Sequence, residues 1–237
     1  MPNNYFRFKQ FTVYQDHCAM KVNTDSCIFG AVAGCEIPTF ILDIGSGSGV
    51  LSLMLAQRFG SALIDAIEPE KDSADQAEAN FRNSPWAERL RIHPVDIENF
   101  TKYTATRYDL IVANPPWFTN SMRSSDHKKN LARHLETLTW EKLTSVVNKL
   151  LAENGIFYIL LPASESANFR MTCESEGFSL IRQVSIRIRG NEPTSRVISG
   201  FSHSVIPPES DVITINDNMG SYSDQFKSLL RDFYLAF

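Results

Sequence analysis

Two short stretches hold the residues that could do chemistry. Asn114-Pro115-Pro116-Trp117 follows the apolar run Tyr108 to Ala113, and Asp43-Ile-Gly-Ser-Gly-Ser-Gly49 follows Phe40 to Leu42. The amine on a heterocyclic ring, like a side-chain amide, is a poor nucleophile because its lone pair is shared with the attached π system. The Asn114 side-chain oxygen and the Pro115 carbonyl can each accept one N–H from such a nitrogen, which favours its pyramidal form and absorbs the positive charge that builds during attack. Two successive prolines fix φ, and the first confines Asn114 to extended backbone, so the acceptor pair sits on a stiff turn. Trp117 adds a flat face for a heterocycle, a contact worth about 1–3 kcal/mol per base in single-strand recognition. Asn-Pro and Pro-Pro are also ordinary turn signals. Position favours chemistry, because a buried strand running into the motif puts it at the carboxyl end of a sheet, where open α/β folds bind ligands.

The second stretch reads as a ligand cradle. Its spacing, Gly45-x-Gly47-x-Gly49, departs from the dinucleotide fingerprint, whose third glycine falls where this chain has Val50. Small residues throughout, Ser46 included, let backbone approach a ligand closely. Asp43 suits an ammonium group such as the one in the amino-acid part of S-adenosylmethionine. Glu68 stands nineteen residues past Gly49, at the end of the next strand, where it can accept from two ribose hydroxyls. An acid so placed also occurs with NAD, so it supports a nucleoside without choosing one. Asp96 and the N–H of Ile97 offer themselves to an adenine edge, although an Asp after a strand is commonly a helix cap. Upstream, Lys21, Thr24 and Asp25 can reach the methionine end, with a Thr24 helix cap as the plain alternative.

The elements that must position these residues alternate. Strands are expected at Phe40 to Ile44, Leu63 to Ile67, Leu90 to Pro94, Tyr108 to Ala113 and Ile156 to Leu161, with helices over Gly49 to Phe59, Asp72 to Asn83 and from Thr139 to near Gly155. Such alternation implies a parallel sheet with helices on both faces. Later, Ser164 to Gly177 reads as helix, Phe178 to Ile188 and Val197 to Val205 as a strand pair forming an edge hairpin, and Ser223 to Leu235 as a closing helix. The leader, residues 1–35, is expected to combine a strand-like Tyr5 to Tyr14 with a helix over Thr24 to Ala33 and to cover the cofactor mouth of a single domain spanning 1–237.

With 237 residues, 43% of them apolar, the chain can bury a full core. Its four cysteines, Cys18, Cys27, Cys35 and Cys173, form no Cys-x-x-Cys pair, which suits a reduced, cytoplasmic protein without structural zinc or other metal. No stretch has the length and apolarity of a membrane span, and the amino terminus lacks a secretory signal. A net charge of −4 argues against coating nucleic acid by bulk electrostatics. The charge is segregated, however. Six acids and one lysine lie between Asp65 and Glu78, whereas Arg123 to Arg133 carries four basic residues against Asp126, and Arg182 to Arg196 four against Glu192. Both basic stretches follow strand ends near the expected site, which suits a polyanion laid along one edge; solvated loops are the alternative.

Phe8-Lys-Gln-Phe11, Lys21-Val-Asn-Thr-Asp25, the glycine loop, Ile67-Glu-Pro69, Asp109 to Pro116, Ala132-Arg-His134 and Phe226 to Tyr234 together resemble the class I methyltransferases, and more closely the bacterial tRNA1(Val) adenine N6-methyltransferases. The resemblance covers almost the whole chain. It implies a Rossmann-like α/β fold with a mostly parallel seven-stranded sheet, an antiparallel edge hairpin and helices on both faces. It further implies a monomer that uses S-adenosylmethionine, held by the glycine loop with Glu68, Pro69, Asp96 and Ile97, to methylate an adenine beside the tRNA anticodon. Asn114, Pro115, Pro116 and Trp117 would hold the target base, and Arg123, Lys128, Lys129, Arg133, His134 and Arg196 would face the RNA. This chain has Trp117 where the family commonly has Tyr or Phe, which requires a wider pocket, and Asn23 where it has Gly. Other planar amines remain as alternatives: a ribosomal RNA guanine N2 or adenine N6, or a release-factor glutamine N5. A non-catalytic RNA-binding module and a dinucleotide oxidoreductase are rivals from other classes.

Overall fold

The structure, a computed structural model, describes residues 3–18, 20–115 and 139–237. A leader hairpin comes first, β1 (Tyr5–Arg7) antiparallel to β2 (Thr12–Tyr14), followed by α1 (Thr24–Val32). Asn23 caps α1 by accepting from the Ser26 N–H, and the Ser26 side chain returns to Asn23, a reciprocal box that satisfies two helix-end donors. Thr24 is therefore the first helical residue, not the cap. The alternation expected from the sequence follows: β3 (Phe40–Ile44), α2 (Val50–Arg58), β4 (Leu63–Ile67), α3 (Lys71–Arg82), β5 (Leu90–His93), α4 (Ile97–Phe100) and β6 (Tyr108–Ala113). Beyond residue 138 come α5 (Trp140–Leu150), β7 (Leu151–Pro162), α6 (Ala163–Ser175), β8 (Ser179–Arg189), β9 (Arg196–Ser202), β10 (Glu209–Asn216) and α7 (Asp224–Leu230).

Among the described residues one sheet has eight strands in the order β10-β8-β9-β7-β6-β3-β4-β5. Strands β5, β4, β3, β6 and β7 run parallel, and β9 lies antiparallel between β7 and β8. The seven expected strands are present with the antiparallel hairpin. The strand count needs correcting, because β10 adds an eighth, parallel to β8. Its sequence hid it: only Ile213 and Ile215 are buried, so Glu209 to Asn216 lacks the apolar run of the inner strands. Helix α5 also stops earlier than expected, at Leu150, where the chain turns straight into β7 with a register shift opposite Tyr108.

Both faces of the sheet are covered. On one, Phe29 of α1, Leu53 and Met54 of α2, Phe81 of α3 and Phe226 of α7 pack together; on the other, Phe100 of α4, Leu143 and Val147 of α5 and Phe169 of α6 do so. Strand β7 is buried on both sides from Phe157 to Leu161, as an unbroken apolar run requires in a parallel sheet. Each such Leu, Ile or Phe contributes roughly 1.5–3 kcal/mol through burial. The outer rim of β10 is occupied from within: Gln225 donates to the Val212 carbonyl at 2.8 Å and accepts from the Thr214 N–H at 3.1 Å, while Ser223 Oγ donates to the Thr214 carbonyl at 2.6 Å.

Candidate active site

Strands β6, β3 and β4 lie side by side, with Ile44 opposite both Ala113 and Ile67. The residues that follow them, Asn114, Gly45 and Glu68, therefore leave the same sheet edge on chains roughly 5 Å apart. The glycine loop is tied to its neighbour. The N–H groups of Gly45 and Ser46 donate to the Ile67 carbonyl at 2.9 and 3.0 Å, and that of Gly47 to Glu68 Oε2 at 2.9 Å. The other Glu68 oxygen accepts from the Glu70 N–H at 3.0 Å. A carboxylate oxygen can accept more than one hydrogen bond, so this engagement is compatible with ribose hydroxyls.

The three glycines have φ of +72°, +54° and +80°, the left-handed region that side chains disfavour. They differ in surroundings. A Cβ at Gly45 or Gly47 would meet nothing within 4 Å, so this part of the loop borders open space where a ligand can approach backbone. At Gly49 it would stand 2.5 Å from the Phe81 ring, so the last glycine lets α2 and α3 pack.

Asp43 is fully buried. Its Oδ2 accepts from the Ser52 hydroxyl at 2.7 Å and the Ser52 N–H at 3.1 Å, while Oδ1 has no hydrogen-bond partner among the described residues. Burial pushes the carboxyl up to about 7; the Ser52 hydrogen bonds oppose this, and the nearby Glu68 charge adds to it. An orphaned buried acceptor under a glycine cradle, with an acid at the next strand end, is a donor-seeking arrangement. It fits a cationic amino-acid group joined to a nucleoside.

The remaining expected site residues divide. Asp96 caps α4, its Oδ1 accepting from the Asn99 N–H at 2.7 Å and its Oδ2 from the Asn99 side chain at 2.6 Å, so the plain reading of this residue is realised. Ile97 is buried beside it, and Pro69 is partly buried after Glu68. Lys21 donates to the Asn3 carbonyl at 3.1 Å. Asp25 and Arg196, expected to face different ligands, form an ion pair at 3.5 Å. Burial raises the Asp25 pKa, against the pull of Arg196. Asn114 and Pro115 are partly buried at the end of β6. Pro116, Trp117, Arg123, Lys128, Lys129, Arg133 and His134 lie outside the described residues.

Two supporting residues escaped the sequence reading. Asn80 donates to the carbonyls of Tyr14 and Ser48, at 2.8 and 2.9 Å, and accepts from the Tyr14 N–H at 2.9 Å, fastening the leader to the glycine loop through α3. Gln15 accepts from the Val22 N–H at 2.8 Å and donates to the Asn3 carbonyl at 3.0 Å. Asn80 carried a signal: it falls in the buried stripe Ser73, Ala74, Ala77, Phe81 of an amphipathic helix, where a polar residue needs a reason.

The Methyltransferase small domain family model matches residues 35–171. The tRNA1(Val) (adenine(37)-N6)-methyltransferase of Cytophaga hutchinsonii is 41% identical over 239 residues, and that of Phocaeicola vulgatus 40% identical over 235, each covering 99% of both chains. The chain belongs to this methyltransferase family. Among solved structures, one described as a predicted O-methyltransferase from Agrobacterium tumefaciens matches with a TM-score of 0.70 over 88% of this chain and 96% of that one. Its 14% identity shows the shared fold alone. Family membership gives the cofactor, S-adenosylmethionine, a methyl donor with an amino-acid head and an adenosine tail.

Proposed function

We propose that this protein is an S-adenosylmethionine-dependent methyltransferase acting on N6 of adenine 37 in the anticodon loop of tRNA1(Val). The observation that carries the reading is the shared sheet edge: the acceptor pair Asn114-Pro115 leaves β6 next to the glycine loop that leaves β3. Relatives about 40% identical over essentially the full chain support the same activity. No helix among the described residues is long and apolar enough to cross a membrane, and we place the enzyme in the cytoplasm with its tRNA.

S-adenosylmethionine supplies a methyl group already activated by a sulfonium. What the protein adds is alignment and two acceptors. Asp43 and the loop of Gly45, Ser46, Gly47 and Gly49 would hold the amino-acid end, with Lys21, Thr24 and Asp25 at its mouth. Glu68 and Pro69 would meet the ribose, and the adenine edge would meet the Ile97 N–H and Asp96, whose carboxylate oxygens can each accept a further hydrogen bond while capping α4. The Asn114 oxygen and the Pro115 carbonyl would accept the two N–H groups of the target amine, leaving its lone pair directed at the methyl donor. The proton is lost after attack, so no strong base is required. Pro116 would keep the turn stiff and Trp117 would stack on the base. An unpaired loop nucleotide is the cheapest to extrude into such a pocket. Arg123, Lys128, Lys129, Arg133, His134 and Arg196 would take phosphates and sugars.

Incubation with labelled S-adenosylmethionine and separate pools of tRNA, ribosomal RNA and release factor tests the reading. Label is expected in tRNA as N6-methyladenine; label confined to protein or ribosomal RNA would overturn it.

A further inference from the structure

A polar chain crosses the sheet beside the nucleoside end of this site. Asp65 lies in the middle of β4, its side chain 22% exposed. Its Oδ1 meets His93 Nε2 at 2.7 Å, and its Oδ2 accepts from the Tyr108 hydroxyl at 2.9 Å. His93 ends β5, and Tyr108, fully buried, begins β6. Phe100 of α4 closes over both, its ring centroid 4.9 Å from that of His93 and 6.5 Å from that of Tyr108. Burial works to raise the Asp65 pKa, but the hydrogen bonds from His93 and Tyr108 and the His93 and Arg91 charges outweigh it and hold the carboxyl below its usual range. An ionised Asp65 only accepts, so His93 presents a proton at Nε2.

The main chain shows what this arrangement controls. The His93 carbonyl accepts from the Glu68 N–H at 3.1 Å and from the Val95 N–H at 2.8 Å. One carbonyl thus anchors both segments assigned to the nucleoside: Glu68 on one side, and Val95, Asp96 and Ile97 on the other. Stability alone is a poor reason for such a group of polar side chains, since well-packed apolar residues commonly hold a fold as well or better.

We propose that Asp65, His93 and Tyr108 form a positioning clamp that fixes the end of β5 and, through the His93 carbonyl, sets the spacing between Glu68 and the Asp96 turn for the adenosine part of the methyl donor. The inference rests on the methyl-transfer reading and names residues outside it. None of the three touches the reacting atoms, so the effect belongs in donor binding and not in the chemical step.

Glutamine can place a donor where His93 Nε2 stands, whereas asparagine is too short to reach Asp65. The test compares His93→Gln, His93→Asn, Asp65→Asn and Tyr108→Phe by calorimetric titration with S-adenosylmethionine, by kcat and KM for donor and tRNA, and by melting temperature. His93→Asn and Asp65→Asn should raise the donor Kd and KM about 10-fold, the scale of one lost charge-assisted hydrogen bond, with kcat within about twofold and the tRNA KM unchanged. His93→Gln should recover most of the loss. Tyr108→Phe, which keeps the ring and the packing, should cost about 2- to 4-fold and keeps the test alive if the others fold poorly. Unchanged donor affinity in folded His93→Asn and Tyr108→Phe, or equal impairment by Gln and Asn, would overturn the clamp. So would a fall of kcat and melting temperature together with a rise of both KM values. Failure of the unaltered protein to bind the donor would instead overturn the methyl-transfer reading and the clamp with it.

Discussion

Replacing Asp43 by Asn should make the ligand-free protein less sensitive to pH while weakening its hold on the methyl donor. Burial lifts the Asp43 carboxyl from an ordinary 3.8 to about 7, a gap of about 3 pH units. Each unit corresponds to about 1.4 kcal/mol, so ionising this group in the folded chain costs about 4 kcal/mol more than in the unfolded one. The sign follows from which state holds the proton. Between pH 4 and 7 the folded protein binds more protons than the unfolded chain, so stability falls as pH rises through that window and levels off above it. Measured from pH 5 to pH 8, the share due to Asp43 is about 3 kcal/mol, or roughly 6–12 °C in melting temperature for a chain of this size. Asparagine keeps an oxygen for the two Ser52 donors and does not ionise, but puts an N–H where Oδ1 lies buried, a fixed cost of about 1–3 kcal/mol. The difference between variant and wild type should therefore move in the variant's favour as pH rises, whatever the fixed cost. Denaturant titration at pH 5 and pH 8 without ligand reads this directly. Parallel stability profiles would refute the argument, because they would mean that Asp43 ionises in the folded state as easily as in the unfolded chain.

Three further outcomes are expected. Asn114→Ala should cut methyl transfer by at least about 100-fold, the scale seen when one transition-state hydrogen-bond partner is removed, with donor affinity nearly unchanged by calorimetry; equal losses would make Asn114 a binding residue only. Gly49→Ala should destabilise the fold by about 1–3 kcal/mol in denaturant titration, because the residue sits at φ +80° and its new Cβ would fall 2.5 Å from Phe81. Affinity for tRNA should fall steeply with salt, and Lys128→Ala or Arg196→Ala should flatten the log–log slope by about one unit each; an unchanged slope would remove that residue from the phosphate contacts.

The parallel half of the fold was legible because its strands are short apolar runs bounded by turns and its helices carry one buried face, as in α3. The glycine loop and Glu68 were legible for a different reason: their residue types are costly or unusual where they stand. Strand β10 was not, since an edge strand with two buried side chains has almost no apolar signature. The limits of spacing are plainest at Asp25 and Arg196, which lie far apart in sequence and were assigned to different ligands, yet meet at 3.5 Å. Asp65, His93 and Tyr108 were equally hidden, because side chains gathered from three strands leave no local pattern. For Asp96 the sequence left cap and ligand open, and the Asn99 hydrogen bonds show the cap.

Gln225 and Ser223 also decide how this sheet behaves in company. An open strand edge invites a neighbouring chain to add its own strand, a common route to aggregation. Here amide and hydroxyl groups from the turn into α7 already fill the positions at Val212 and Thr214 that an incoming backbone would need. The opposite border, β5, spans only Leu90–His93 and offers little length for pairing. Crowded with copies of itself, this eight-stranded sheet has both borders guarded. At β10 the guard is tied to the core, because the Ser223 hydroxyl also caps α7 by accepting from the Phe226 N–H at 3.0 Å, so its loss would loosen that helix as it opened a seam.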